Sequence, residues 1–100
     1  MFIHLVYFWI KNDAPDGERE SIAEDCRSLL ADVPGVKHVW AGHPAMTPRE
    51  IVDNSYDVGL CVVLDDKAAH DVYQTHEKHL EFISRHKANW QRVQVYDFVD

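Results

Sequence analysis

Apolar side chains fill both parities of the opening segment "FIHLVYFWI", which predicts a strand with Phe2, His4, Val6 and Phe8 on one face and Ile3, Leu5, Tyr7 and Trp9 on the other. Such a strand requires cover on both sides. "NDAPDGE" follows with turn and helix-start chemistry, Asp13 or Asp16 being the expected cap. Ile22, Cys26, Leu29, Leu30 and Val33 then recur at helical spacing, predicting a first helix over about 18–32 that stops at Pro34-Gly35. "VKHVWAG" predicts a second strand with Val36, His38 and Trp40 on one face and Lys37, Val39 and Ala41 on the other. Residues 43–56 carry Pro44 and Pro48 and read as a long loop with one helical turn at most, started by Thr47-Pro48.

"DVGLCVVL" predicts a third strand, again apolar on both faces, with Gly59 marking a bulge or a close approach. A second helical region, capped by Asp65 or Asp66, runs from Lys67 to about Ala88. Its inward stripe includes Val72, Tyr73, His76, His79, Leu80 and Ile83, with a break near Gln74-Thr75 where Thr75 caps a second segment. "RVQVYDFV" predicts the fourth strand. The order βαββαβ is the ferredoxin-like α+β arrangement: a four-stranded antiparallel sheet with the helices on one face, in one domain spanning 1–100. Two helices cover one face, yet strands one and three are apolar on both. The other face therefore calls for a partner, and a second copy in a two-fold homodimer, sheet against sheet, supplies a self-complementary cover.

The charge narrows the partners. Ten basic against 17 acidic residues give a formal charge of -7, which argues against phosphate-neutralising partners, both nucleic acid and an anionic membrane surface. Seven histidines could cancel that charge in mild acid, where solubility should worsen. Cys26 and Cys61 fall in a helix and a strand, too few for a disulfide scaffold, and read as buried free thiols of a reducing compartment. The opening apolar run lacks a positively charged leader and a cleavage site and is far short of a membrane span, so a cytoplasmic protein is expected.

"THEKHLEF" is the segment with candidate chemistry. A zinc-protease helix needs H-E-x-x-H, and His76 and His79 are three apart instead of four. With no third ligand evident they do not make a metal site by spacing, and His70 and His86 have no partner identifiable that way.

"IHLVYFW", "YDVGLCVVLDD", "AAHDVYQTHEKHLEF" and "NWQRVQVYDF" together resemble the stress-responsive α/β-barrel (Dabb, dimeric α/β-barrel) domain family across nearly the whole chain, the loop 43–56 excepted. The carrying signals are the histidine early in strand one and the run Tyr73-x-x-His76-x-x-His79. The resemblance implies a homodimer whose two sheets form one barrel. Olivetolic acid cyclase-like members close a linear polyketide by aldol condensation, and carried over by position their working residues correspond to His79, Tyr73 and His4. The family commonly has proline directly after the first histidine of the run, where this chain has Glu77. Some relatives hold a magnesium-like ion at the dimer interface through oxygens, a site that this sequence does not place.

An imidazole base and a phenol donor suit enolate chemistry near neutral pH, with His79 as base, Tyr73 as donor and His4 as orienter, acting without a cofactor on a small hydrophobic carbonyl compound. Against this stands a purely structural role, in which His4 and His79 hydrogen-bond inside the core of a non-catalytic stress-associated dimer. A cofactor-independent monooxygenase on the same barrel ranks lowest, since no Asn-Trp-His constellation stands out.

Overall fold

Residues 1–100 are described by a computed structural model. Strand β1 (Phe2–Ile10) leads to helix α1 (Glu18–Asp25), which continues into a π-helical turn, Cys26–Leu30. Strands β2 (Val36–Gly42) and β3 (Val58–Leu64) follow, then helices α2 (Lys67–Thr75) and α3 (Glu77–His86), a 3-10 turn (Lys87–Asn89) and strand β4 (Trp90–Val99). The strands make one antiparallel sheet in the order β2-β3-β1-β4, the ferredoxin-like α+β topology.

All helices pack on one face. There Phe2, Val6 and Phe8 of β1 and Val58, Leu60, Val62 and Leu64 of β3 meet Ile22, Cys26 and Leu30 from the first helical region and Tyr73 and Phe82 from the second. The alternation on β1 from Phe2 to Trp9, buried at even positions and half-buried at odd ones, is the period-2 pattern of its sequence made physical. Gly35 turns the chain back to the sheet at φ +89°, and a Cβ there would lie 2.8 Å from the Ala69 Cβ, so glycine answers both the left-handed backbone and the close approach of α2.

Local readings shift in four places. Helix α1 is capped by Gly17 in the left-handed region with no side-chain bond, instead of by Asp13 or Asp16. Asp66 caps α2 through a bond from the Ala69 N–H. The helix break falls one residue later than expected, at His76, whose Nδ1 accepts the Lys78 N–H at 3.1 Å in place of a Thr75 cap. In β2 the register shifts between Val36 and His38, so Val36 joins Val39 and Ala41 on the helix side while His38 and Trp40 face the other way. The break also turns the apolar stripe: Val72 and Leu80 are exposed, and Phe82 is buried in their stead.

The second face of the sheet has no helix on it. Trp40 is 58% exposed, Tyr96 58% and Phe98 53%, and all three point there with Leu5 and Tyr7. Only the loop 43–56 touches this side: Tyr56 packs edge-on against Tyr7, and Trp9 donates its indole N–H to Ser55 at 3.0 Å. No helix is long and apolar enough to cross a membrane.

Candidate functional site

His4 is a polar residue in the middle of an apolar strand face, and the antiparallel register explains how it is tolerated. Its cross-strand neighbour on β4 is Asp97, and Nδ1 and Oδ1 lie 2.6 Å apart. Burial holds the His4 imidazole below its ordinary range despite the carboxylate, which pulls the other way. The neutral ring thus donates Nδ1–H to Asp97 and keeps a lone pair on Nε2.

His79 is oriented by the helix break. Within an unbroken helix the Gln74 carbonyl would accept the Lys78 N–H, but that N–H is taken by the His76 imidazole. The orphaned carbonyl accepts His79 Nδ1–H at 3.0 Å instead. Burial lowers the His79 pKa as well, more than the Gln74 bond raises it, so this imidazole too is neutral at pH 7 with Nε2 free of protein partners. Tyr73, near the end of α2, is almost fully buried between them: its ring centroid is 5.7 Å from that of His4 and 4.6 Å from that of His79. Burial pushes its phenol well above the ordinary tyrosine range, which keeps it a proton donor.

These three side chains, brought from β1, α2 and α3, line one cleft of ≈ 190 Å³ with Phe8, Phe82 and Trp90 as its apolar wall. The cleft opens along β4, where Val93 and Val95 point toward the helix side yet stay exposed because no helix reaches over that edge. The Trp90 indole N–H is buried and has no acceptor in the protein. Larger hollows of ≈ 350 and ≈ 340 Å³ lie on the uncovered face, around Tyr7, Trp9 and Arg92 and around Trp40, His43 and Cys61, and neither is lined by His4, Tyr73 or His79.

The remaining titratable residues have other tasks. His76 caps α3. His86 is buried with Glu18 2.9 Å from Nδ1 and Asp25 2.7 Å from Nε2, and Asn89 also bonds Glu18, so this cluster ties α1 to the end of α3. The Cys26 thiol is pushed up to about 12 and the Cys61 thiol is raised, both by burial, so neither is an activated nucleophile, and neither forms a disulfide. Asp97 and Gln74 are the site members that sequence spacing missed. Asp97 is 93 residues from His4, and only strand register could have linked them.

The Stress responsive A/B Barrel Domain family matches residues 2–100. Among solved structures, a Dabb family protein with a ferredoxin-like fold from Mesorhizobium loti is similar at a TM-score of 0.78 and 22% identity, over 99% of this chain and 95% of that one. A dimeric ferredoxin-like protein of unknown function from Thermobifida fusca gives 0.82 at 17% identity, over 99% and 90% of the two chains. A hydroxynitrile lyase from Passiflora edulis gives 0.82 at 16% identity, over 99% and 92%. At these identities the likeness is one of fold. No match was found among the curated proteins. With a family match that runs from the second residue to the last, on the sheet order and helix placement described above, the chain belongs to the stress-responsive α/β-barrel (Dabb) domain family.

Proposed function

We propose that the cleft binds a small hydrophobic carbonyl compound and promotes proton transfer at the carbon beside the carbonyl, in the manner of an aldol cyclisation or isomerisation. The observation that carries this reading is the tether of His79: its Nδ1–H is fixed on the Gln74 carbonyl, which leaves Nε2 as a neutral base 4.6 Å, ring to ring, from a phenol held protonated. In the proposed reaction His79 Nε2 takes the proton, the Tyr73 hydroxyl donates to the oxygen on which negative charge develops, and His4, steadied by Asp97, orients the phenol or the ligand. The unpaired Trp90 N–H gives an oxygen of the ligand a second donor in the same wall. A hydroxynitrile lyase of the same fold supports the idea that this scaffold can carry an enzyme.

The protein is proposed to act as a homodimer joined through the uncovered sheet faces, as the exposed Trp40, Tyr96 and Phe98 favour, and relatives of the fold are described as dimeric. Free Cys26 and Cys61 favour a reducing, cytoplasmic setting. One observation favours the non-catalytic reading: at ≈ 190 Å³ the cleft is below the roughly 300 Å³ at which drug-sized ligand pockets begin.

Histidine-resolved NMR titration with a panel of β-diketones and phenols separates the readings. Saturable shifts of His4 and His79 together, lost in His79→Ala while the fold persists, are the expected outcome. Resonances that stay fixed across the panel, or a His79→Ala variant that fails to fold, would leave both histidines as packing groups.

A further inference from the structure

His70 lies on the sheet-facing side of α2 with its side chain 13% exposed, stacked on Phe2 at a centroid distance of 4.3 Å and tilted against His4 at 5.3 Å. It is not part of the cleft lining, and the proton-transfer reading leaves it unused. Its Nδ1 lies 3.3 Å from the Asp71 carboxylate, and its Nε2 lies 2.8 Å from the Gln74 amide nitrogen, which can only donate. The ring is therefore a tautomer with Nδ1–H on Asp71 and the lone pair on Nε2.

We propose that His4, His70 and Asp97 form a binding site for one divalent transition-metal ion of the zinc type, beside the cleft. One donor atom from each of the three lies within 4.8 Å of the others. Two imidazoles and one carboxylate are a donor set suited to zinc or cobalt(II), and three protein ligands leave a fourth position open to water or ligand. Asp71 completes the arrangement, because a carboxylate on the far nitrogen of a ligating histidine fixes its tautomer and raises its basicity.

The unliganded geometry needs a modest closure. In a tetrahedral site with bonds of about 2.1 Å neighbouring donors lie about 3.4 Å apart. The His4–Asp97 contact of 2.6 Å must open, with the Nδ1 proton of His4 moving to Nε2 through solvent so that Nδ1 can ligate, and the longest separation must shorten. Both adjustments are local: Asp97 stands on the edge strand and its side chain is 36% exposed, while His70 gives up only the Gln74 amide. The site shares His4 and Asp97 with the cyclisation reading, but no substrate enters its test, so the two fail separately.

Tag-free protein, stripped with chelator, is titrated with cobalt(II) alone and followed by the visible absorption of the bound ion, with zinc competition and circular dichroism as controls. One ion per chain is expected. His70→Ala and Asp97→Asn should abolish the signal, Asp71→Asn should weaken binding by about tenfold, and His43→Ala, on an exposed loop, should leave it unchanged. No saturable cobalt signal in the wild type, or a signal that survives both His70→Ala and Asp97→Asn in folded protein, overturns the proposal.

Discussion

Replacing Trp40 by glutamate tests the sheet-face dimer at the residue that the β2 bulge turns outward. A tryptophan carries up to about 250 Å² of surface, so 58% exposure leaves roughly 145 Å² of mostly apolar area for a partner to cover. At about 25 cal/mol per Å² that corresponds to roughly 3.5 kcal/mol per protomer. A two-fold interface contains the residue twice, for roughly 7 kcal/mol of gross transfer energy. Interfaces realise only part of such area, and losing half of it still weakens dimerisation by about 3.5 kcal/mol, more than a hundredfold in Kd. Two added carboxylates act in the same direction. Sedimentation equilibrium of wild type and Trp40→Glu, with circular dichroism to verify the fold, reads the shift directly. A variant that dimerises as tightly as the wild type would show that this face is not the interface, and a wild type that stays monomeric at high protein concentration would remove the dimer itself.

Other perturbations probe the core and the cleft. Burial sets the folded pKa of His4 and of His79 below the ordinary 6.5, so as pH falls the unfolded chain takes up these protons first. Their contribution to stability is complete above about pH 6.5 and is lost as pH drops through the lower folded values. Thermal scans should show a Tm that falls from pH 7 toward pH 5, less steeply in His79→Gln, and a Tm that rises over that range would contradict the assigned direction. Gly35→Ala should cost about 2 kcal/mol or more in urea unfolding, because it combines a left-handed backbone with a 2.8 Å contact to Ala69, and an unchanged midpoint would deny that contact. Phe82→Ala, at a residue only 2% exposed, should cost roughly 3–5 kcal/mol. In the cleft reading it should also let bulkier phenols bind, and unchanged size selectivity in folded protein would place Phe82 outside the ligand's reach.

The fold was legible because each strand and helix carries its own period. Phe2 to Trp9 alternate in burial as their parity dictates, and the doubly apolar β1 and β3 announced a face that the helices do not cover. What the sequence could not display was register. The bulge beside Lys37 reverses the side of Val36 relative to His38, and a strand read by parity alone misses it. His4 and Asp97 pair across 93 residues, and His86 meets Glu18 and Asp25 across 68 and 61. No spacing rule reaches that far. For Tyr73 and His79 the resemblance named the residues, and the geometry adds that they meet.

That meeting depends on the helix break more than on the identity of either residue. In one continuous helix two positions six apart differ by 600° of rotation, which leaves them about 120° apart around the axis and off a common face. Tyr73 and His79 come within 4.6 Å because the chain leaves the helix at His76, with ψ at 142°, and starts again at Glu77. Glu77 occupies the first position of α3, where the family commonly has proline. A missing N–H costs nothing there, and an acidic residue suits the positive end of the helix equally well. The imidazole of His76 satisfies the Lys78 N–H, which would otherwise close the turn onto Gln74, and the Gln74 carbonyl is left to fix His79. "THEKHLEF" thus holds two histidines with unlike tasks: the first makes the break, and the second uses the carbonyl that the break sets free.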